Sequence, residues 1–148
     1  MPHINNARLD HVSYVVPDLD AAVQFFVKYF GFKVVSQDPP IQSATDDRIT
    51  RQYAMPERAV GRFAMLQLGG QQLELAEWKT FGQALNPLRE STVPGCHIAL
   101  RVPDVQLALT ALKSVARMRF LELADNGSVL CFTPFGFQLQ LVREQVLG

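Results

Sequence analysis

The sequence predicts an α+β fold made of two tandem copies of one βαβββ module. The segment LDHVSYVVPDLDAAVQFF is matched by GCHIALRVPDVQLALTAL in the second half, so that His11 corresponds to His97 at an offset of 86 residues (97 − 11). The segment GQQLELAE is matched by GFQLQLVR, so that Glu74 corresponds to Gln140 at an offset of 66 (140 − 74). This period is longer than the roughly 20–50 residues of a solenoid repeat. We therefore expect one module used twice.

The first module begins with a strand and a helix. β-Branched and aromatic residues predict a strand over Leu9–Val16, which Pro17 ends. Asp18 is placed to cap a helix, because apolar residues then recur at three- and four-residue steps. Since a glycine follows, the helix is predicted over Leu19–Phe30 and ends at Gly31.

Extended segments complete the first module. Strands are predicted at Phe32–Ser36, Arg62–Leu68 and Gln71–Glu77. Gly69-Gly70 separates the last two strands and suits the positive φ values of a tight hairpin turn. A further strand is predicted within Ile49–Met55. The first module, about residues 8–78, is therefore expected to have the order βαβββ.

The second module, about residues 95–144, repeats this order. A strand is predicted at His97–Val102 and a helix at Val105–Val115. Asn126-Gly127 indicates a hairpin turn between later strands. The remaining extended segments are Arg119–Leu123, Ser128–Phe132 and Phe137–Val142.

The first module contains an insertion. The offset between equivalent positions falls by 20 residues (86 − 66), and the polar segment Gln37–Gly61 is where these residues fit. Four arginines lie in or beside it, and guanidinium groups suit carboxylates and phosphates. An anionic substrate is one explanation, and a solvated loop balanced by nearby carboxylates is the other. The arginines are Arg48, Arg51, Arg58 and Arg62.

Composition excludes several classes of protein. Fourteen basic and fourteen acidic side chains give zero formal net charge, so no broad field attracts nucleic acid or an anionic membrane. The start MPHINNARLD lacks a signal-peptide pattern, and no apolar run approaches the roughly 20 residues of a membrane span. We expect one cytoplasmic domain over residues 1–148. Cys96 and Cys131 lack metal or redox spacing and are interpreted as buried small hydrophobes.

Strand alternation predicts which side chains share a surface. His11 and Ser13 lie on one face of the first strand. On the closing strands, Leu73, Leu75 and their equivalents are expected to point towards the helices. The opposite, polar face carries Gln72 and Glu74 in the first module and Gln138 and Gln140 in the second.

Each module therefore offers a polar face with one histidine and one carboxylate or amide. If the two sheets curve around a common axis, these side chains can meet, and two imidazoles with two oxygen donors form a reasonable divalent-metal site. Ser13, Gln72 and Gln138 are interpreted as lining of the same cavity. The candidate ligands are His11, Glu74, His97 and Gln140.

Four segments, LDHVSYVVPDLDAAVQFF, GGQQLELAEW, GCHIALRVPDV and PFGFQLQLV, resemble the signature segments of the vicinal oxygen chelate superfamily. That superfamily includes glyoxalase I, methylmalonyl-CoA epimerase, extradiol dioxygenases and the fosfomycin and bleomycin resistance proteins. The resemblance implies a U-shaped, half-open mixed β-sheet cleft with flanking helices, and metal ligands on the first and last strands of each module. The ion would be Ni, Zn, Co, Mn or Fe, and the protein would pair as a homodimer.

The chain departs from the commonest glyoxalase-like pattern at Gln140, where that pattern has glutamate. By the internal symmetry, Glu74 is then the carboxylate able to remove a proton. The favoured hypothesis is an isomerase or lyase that acts through a metal-chelated enediolate of a small substrate with vicinal oxygens. The alternatives are an Fe(II) extradiol-type dioxygenase using His11, His97 and Glu74, and a protein that binds a small molecule such as an antibiotic.

Overall fold

The computed structural model describes residues 4–42, 44–53, 55–80 and 97–144. The chain divides into two compact units, residues 1–83 and 84–148. The first unit contains β1 (Val12–Val15), α1 (Leu19–Phe30), β2 (Lys33–Ser36), β3 (Ile41–Gln42), α2 (Arg48–Tyr53), β4 (Val60–Leu68) and β5 (Gln71–Lys79). The second contains β6 (His97–Val102), α3 (Val105–Leu112), β7 (Arg119–Phe120), β8 (Val129–Phe132) and β9 (Gln138–Arg143). The predicted βαβββ order is present in both units.

The two units have the same strand order. The path is β1-β5-β4-β2 in the first sheet and β6-β9-β8-β7 in the second, and in each sheet the first strand pairs in parallel with the last. Ser13 pairs with Glu74, 61 positions further on (74 − 13), and Ala99 pairs with Gln140, 41 positions further on (140 − 99). The difference, 61 − 41 = 20, confirms the length of the predicted insertion.

Helix α1 has the predicted boundaries and both predicted ends. The Asp18 side chain accepts a hydrogen bond from the backbone N–H of Ala21 at 3.0 Å, and Gly31 ends the helix in the left-handed conformation at φ 73°. The buried carboxylate of Glu77 on β5 accepts from the N–H of Leu19 at 2.8 Å. Together these contacts satisfy N–H groups that a helix start leaves unpaired. No helix in the described part of the chain has the length and apolar character needed to cross a bilayer.

The core lies between each helix and one face of its sheet. Leu73 and Leu75 are 4% and 0% exposed, and the equivalent leucines, Leu139 and Leu141, are fully buried, as the alternation predicts. Cys131 is also fully buried, and burial raises the pKa of its thiol to about 11. Its interpretation as a small hydrophobe is confirmed, whereas Cys96 lies outside the described residues.

Several predicted strands and helices are longer than those in the structure. The first strand covers Val12–Val15 instead of Leu9–Val16, and Leu9 is 84% exposed. The second helix ends at Leu112 instead of Val115. Strand β7 has two residues, because Leu121 and Leu123 are about half exposed and bury no face that would hold a longer strand. Apolar residues next to a strand or helix can therefore extend the predicted element even where they stay exposed and the element has already ended.

The inserted segment forms β3 and α2, which have no counterpart within residues 97–144 of the second unit. The prediction of a strand within Ile49–Met55 is wrong, since Arg48–Tyr53 is helical. Asp46 explains the difference, because its carboxylate accepts from the backbone N–H of Arg48 at 3.1 Å and starts the turn. Ile49 of the helix is 2% exposed and packs in a cluster with Ala76 and Trp78 of β5.

Gly61 on β4 makes room for the Trp78 ring. A Cβ atom at Gly61 would lie 2.6 Å from Trp78 Cζ3, and the indole is held in the apolar cluster and by an edge-on contact with Phe63. We expect Gly61→Ala to lower the free energy of unfolding by about 1–3 kcal/mol, the usual cost of overpacking a core. Chemical denaturation monitored by Trp78 fluorescence measures this loss.

The matched control is Gly70→Ala in the β4–β5 turn. A Cβ atom at Gly70 meets nothing within 4 Å, and its φ lies outside the left-handed region. Equal stability losses in the two variants would contradict the role of Gly61 as the space for the indole.

Candidate active site

The polar face of the first unit carries a histidine and a carboxylate side by side. Cross-strand pairing puts Ser13 next to Glu74, and His11 directly precedes β1. The Ser13 hydroxyl donates a hydrogen bond to Glu74 Oε1 at 2.9 Å. Glu74 is half-buried, and Gln72 lies two residues earlier on the same face. The structure therefore joins Ser13 to Glu74, and the charge of Glu74 acts on His11.

Asp10 is a site residue that the sequence did not indicate. Its carboxylate Oδ2 lies 2.6 Å from His11 Nδ1. This hydrogen bond, together with the charge of Glu74 and of Asp10 itself, raises the pKa of His11 above 6.5, although desolvation opposes the shift. Successive residues of a strand point to opposite faces, so alternation gave no reason to place Asp10 beside His11. The bond occupies Nδ1 and leaves Nε2 for another partner.

The shift predicts how His11 titrates. In the metal-free protein, its midpoint by NMR should lie above 6.5, and Asp10→Ala should move the midpoint down towards 6.5, because the largest cause of the rise is lost. The stability that the pair contributes is complete below pH 6.5 and is lost as the pH rises through the His11 pKa. Asp125→Ala, in an exposed turn of the second unit, is the control. A midpoint unmoved by Asp10→Ala would disprove the assigned cause.

The second unit repeats the face with an amide, Gln140, in place of the carboxylate. His97 pairs with Gln138, and Ala99 pairs with Gln140. His97 is exposed and Gln140 is half-buried. Gln138 is 3% exposed, and its Oε1 atom has no hydrogen-bond partner among the described residues. An unpaired buried amide oxygen is costly.

An apolar cluster lies at one end of the sheet face that carries Glu74. Glu74, Ala76 and Trp78 alternate along β5 on this face, and Phe63 of β4 pairs with Ala76. Ile49 of α2 packs against Ala76 and Trp78. The inserted segment therefore covers the sheet two residues from Glu74. Trp78 is 7% exposed and belongs to this cluster.

The structure pairs the candidate arginines with the chain's own carboxylates. Arg48 contacts Asp46 at 2.7 and 2.8 Å, and Arg51 contacts Asp47 at 3.2 Å, one helical turn away. Both arginine side chains are 65% exposed. These pairs match the alternative of a solvated, charge-balanced loop.

Arg62 is placed differently. It pairs across the strands with Glu77, on the helix side of the sheet, and donates to Asp20 at 2.9 Å. The structure therefore does not bring Arg62 to the face that carries Glu74.

The donor chemistry of the two faces fits a divalent ion, but each unit supplies only part of a site. His11 and Glu74 give one imidazole nitrogen and one carboxylate, and His97 and Gln140 give one imidazole and one amide oxygen. Protein metal sites usually have three or four such ligands. In residues 4–42, 44–53, 55–80 and 97–144, no three His, Cys, Asp or Glu side chains form a group able to hold a metal.

The duplicated βαβββ order, with a histidine and an oxygen donor on matching strands, defines a protein of the glyoxalase-like fold. A family model described as Glyoxalase/Bleomycin resistance protein/Dioxygenase superfamily matches residues 8–141. The chain belongs to this superfamily. The resemblance noted in the sequence is therefore confirmed.

Three similar proteins illustrate the range of this superfamily. A 2-epi-5-epi-valiolone epimerase from an Actinomyces species is 35% identical over 143 residues, which cover 90% of this chain and 77% of that protein. A glyoxalase family protein from Bacillus cereus has a TM-score of 0.76 at 19% identity, covering 99% of both chains. A mutant fosfomycin resistance protein from Listeria monocytogenes, complexed with Mn(II) and 1S,2S-dihydroxypropylphosphonic acid, has a TM-score of 0.61 at 12% identity, covering 92% of this chain and 89% of that one.

Proposed function

We propose that this protein is a metal-dependent isomerase of the epimerase type, acting on a small molecule with adjacent oxygens. The observation that carries the proposal is Glu74, a half-buried carboxylate held beside His11 on the polar face of the first module. The similarity to an epimerase over most of the chain supports the reaction class.

One divalent ion would be held by His11, Glu74, His97 and Gln140. Ni, Zn, Co, Mn and Fe all suit this mixed nitrogen and oxygen set. The ion supplies a Lewis acid that stabilises negative charge developing on the substrate oxygens. The binding of Mn(II) by the Listeria protein of the same fold is consistent with such a cofactor.

Glu74 takes the proton from a carbon next to a carbonyl group, as a general base. Gln140 stands at the equivalent position of the second module and cannot accept or return a proton as a carboxylate would. The proton delivered to the opposite face of the carbon therefore comes from water. Deuterium enters the product when the reaction runs in D₂O.

Other predicted residues bind the substrate. The amides of Gln72 and Gln138 are suited to hydroxyl groups, and the unpaired Oε1 of Gln138 accepts from one of them. Arg48 and Arg51 contact an anionic substrate group only if they exchange their present carboxylate partners for it. Arg62, on the helix side of the sheet, contributes to stability instead.

The test is isotope exchange in D₂O. Purified protein, loaded in turn with each candidate metal, is incubated with 2-epi-5-epi-valiolone and followed by proton NMR. The expected result is an epimer that carries one deuterium at the inverted carbon, with no reaction after chelation. Oxygen consumption with a catechol and Fe(II), without any exchange, would overturn the isomerase and favour a dioxygenase. Tight binding of a small molecule with no turnover would favour a binding protein.

A second copy of the chain is the proposed protein partner. Strands β1 and β6 lie at the ends of their described sheet paths, and free strand edges favour pairing with another chain. We expect a twofold homodimer, which is the commonest symmetric assembly. Light scattering at high micromolar concentration measures the mass against the 16.6 kDa of one chain. A mass of one chain would remove this prediction.

A further inference from the structure

The two modules differ at one matched pair of strand positions. Ser13 and Glu74 occupy the same register in the first sheet as Ala99 and Gln140 in the second. The carboxylate has a hydroxyl donor beside it, whereas the amide has a methyl group. The charged ligand and the hydroxyl therefore occur together in one module, and both are absent from the corresponding positions of the other.

The Ser13 hydroxyl restricts Glu74. It donates to Oε1 at 2.9 Å, and the two residues are 61 positions apart in sequence, so the bond exists because β1 and β5 pair in parallel. A glutamate side chain loses considerable rotamer entropy when it is held in one conformation. A hydrogen bond to one oxygen lowers that cost at the moment of binding and leaves Oε2 for an ion or a substrate proton.

We propose that Ser13 is a positioning residue for Glu74, in addition to any contact it makes with substrate. This inference rests on the proposed function, because it assumes that Glu74 holds the metal. Ser13 prepares the first module as the preorganised half of the site. Position 99 is alanine and gives Gln140 no hydroxyl partner. The ligand of the second module is therefore less restricted before metal binds.

The experiment measures Mn²⁺ affinity by calorimetry in the absence of substrate. Ser13→Ala is expected to weaken binding about tenfold, the lower end of the usual effect of a residue that orients a metal ligand. Ser13→Thr keeps a hydroxyl on a strand that tolerates β-branching and should bind within about twofold of the parent. Ser114→Ala, which removes an exposed hydroxyl after α3 in the second unit, is the control and should leave affinity unchanged.

The possible outcomes distinguish failure of the Ser13 inference from failure of the proposed function. If Glu74→Ala loses metal but Ser13→Ala binds as tightly as the parent, Ser13 has no positioning role and the metal site stands. If Ser13→Ala and Ser13→Thr lose affinity equally, with equal loss of thermal stability, the hydroxyl is not the cause and the inference fails. If the parent protein binds no Mn²⁺ or other divalent ion, the proposed function and this inference both fail.

Discussion

Replacing Glu74 by glutamine is expected to lower turnover by about 10²-fold or more, the usual contribution of a general base. Glutamine has nearly the same shape and keeps an oxygen that can bind metal and accept from Ser13. It cannot take a proton from the substrate. Metal is therefore retained at least in part while the chemical step is lost, and kcat falls more than metal content does. Turnover with 2-epi-5-epi-valiolone and elemental analysis of the same preparation measure the two quantities.

Two variants control this prediction. Gln140→Glu adds a carboxylate at the equivalent strand position and should preserve metal binding, because carboxylate and amide oxygens both serve as ligands. Glu122→Gln removes an exposed carboxylate from the second unit and should leave turnover unchanged. A Glu74→Gln protein that holds metal and turns over at the parental rate would disprove the role of Glu74 as base. A dioxygenase or binding function would then be favoured.

Replacing His11 or His97 by alanine is expected to abolish metal binding. The parent should hold about one divalent ion per chain, because the proposed site has three or four protein ligands. Losing one imidazole removes a strong nitrogen donor from so small a set, and the neutral amide of Gln140 cannot compensate. Inductively coupled plasma analysis of the purified variants gives the metal content directly.

His3→Ala is the matched control, since His3 is the one remaining histidine of the sequence and is not a predicted ligand. It should keep the full metal content. The proposed site is wrong if the double variant of His11 and His97 still carries the parental amount of metal. Retention in one single variant alone would show that the ion is held chiefly by the other module.

Much of the fold was predictable because the sequence repeats itself. The matched pairs His11 with His97 and Glu74 with Gln140 identify the equivalent strands from the sequence alone. The change in offset between these pairs locates the insertion. Helix α1 was predicted to the residue, because Asp18 and Gly31 determine its ends through local hydrogen bonds and backbone conformation. Local features of this kind depend on residues close in sequence.

The inserted segment was predicted less well. Its apolar residues read as a strand, but Ile49 is buried against Trp78 of a strand that begins more than twenty residues later. Short segments take the structure that their tertiary contacts favour, even against local preference. Gly61, which makes space for the same indole, gave no signal in the sequence.

The sequence by itself determined the duplicated βαβββ order, the two ends of helix α1 and the residues that alternate onto the polar faces, because strand alternation and capping are local. Only the tertiary structure decided which side chains act on one another. In the folded chain Ser13 is hydrogen-bonded to Glu74, and Asp10 to His11. Arg62 lies on the helix side of the sheet, where it donates to Asp20. Most of these contacts link strands and helices far apart in the chain, and their geometry depends on register and side-chain rotamers, which no single segment of sequence contains.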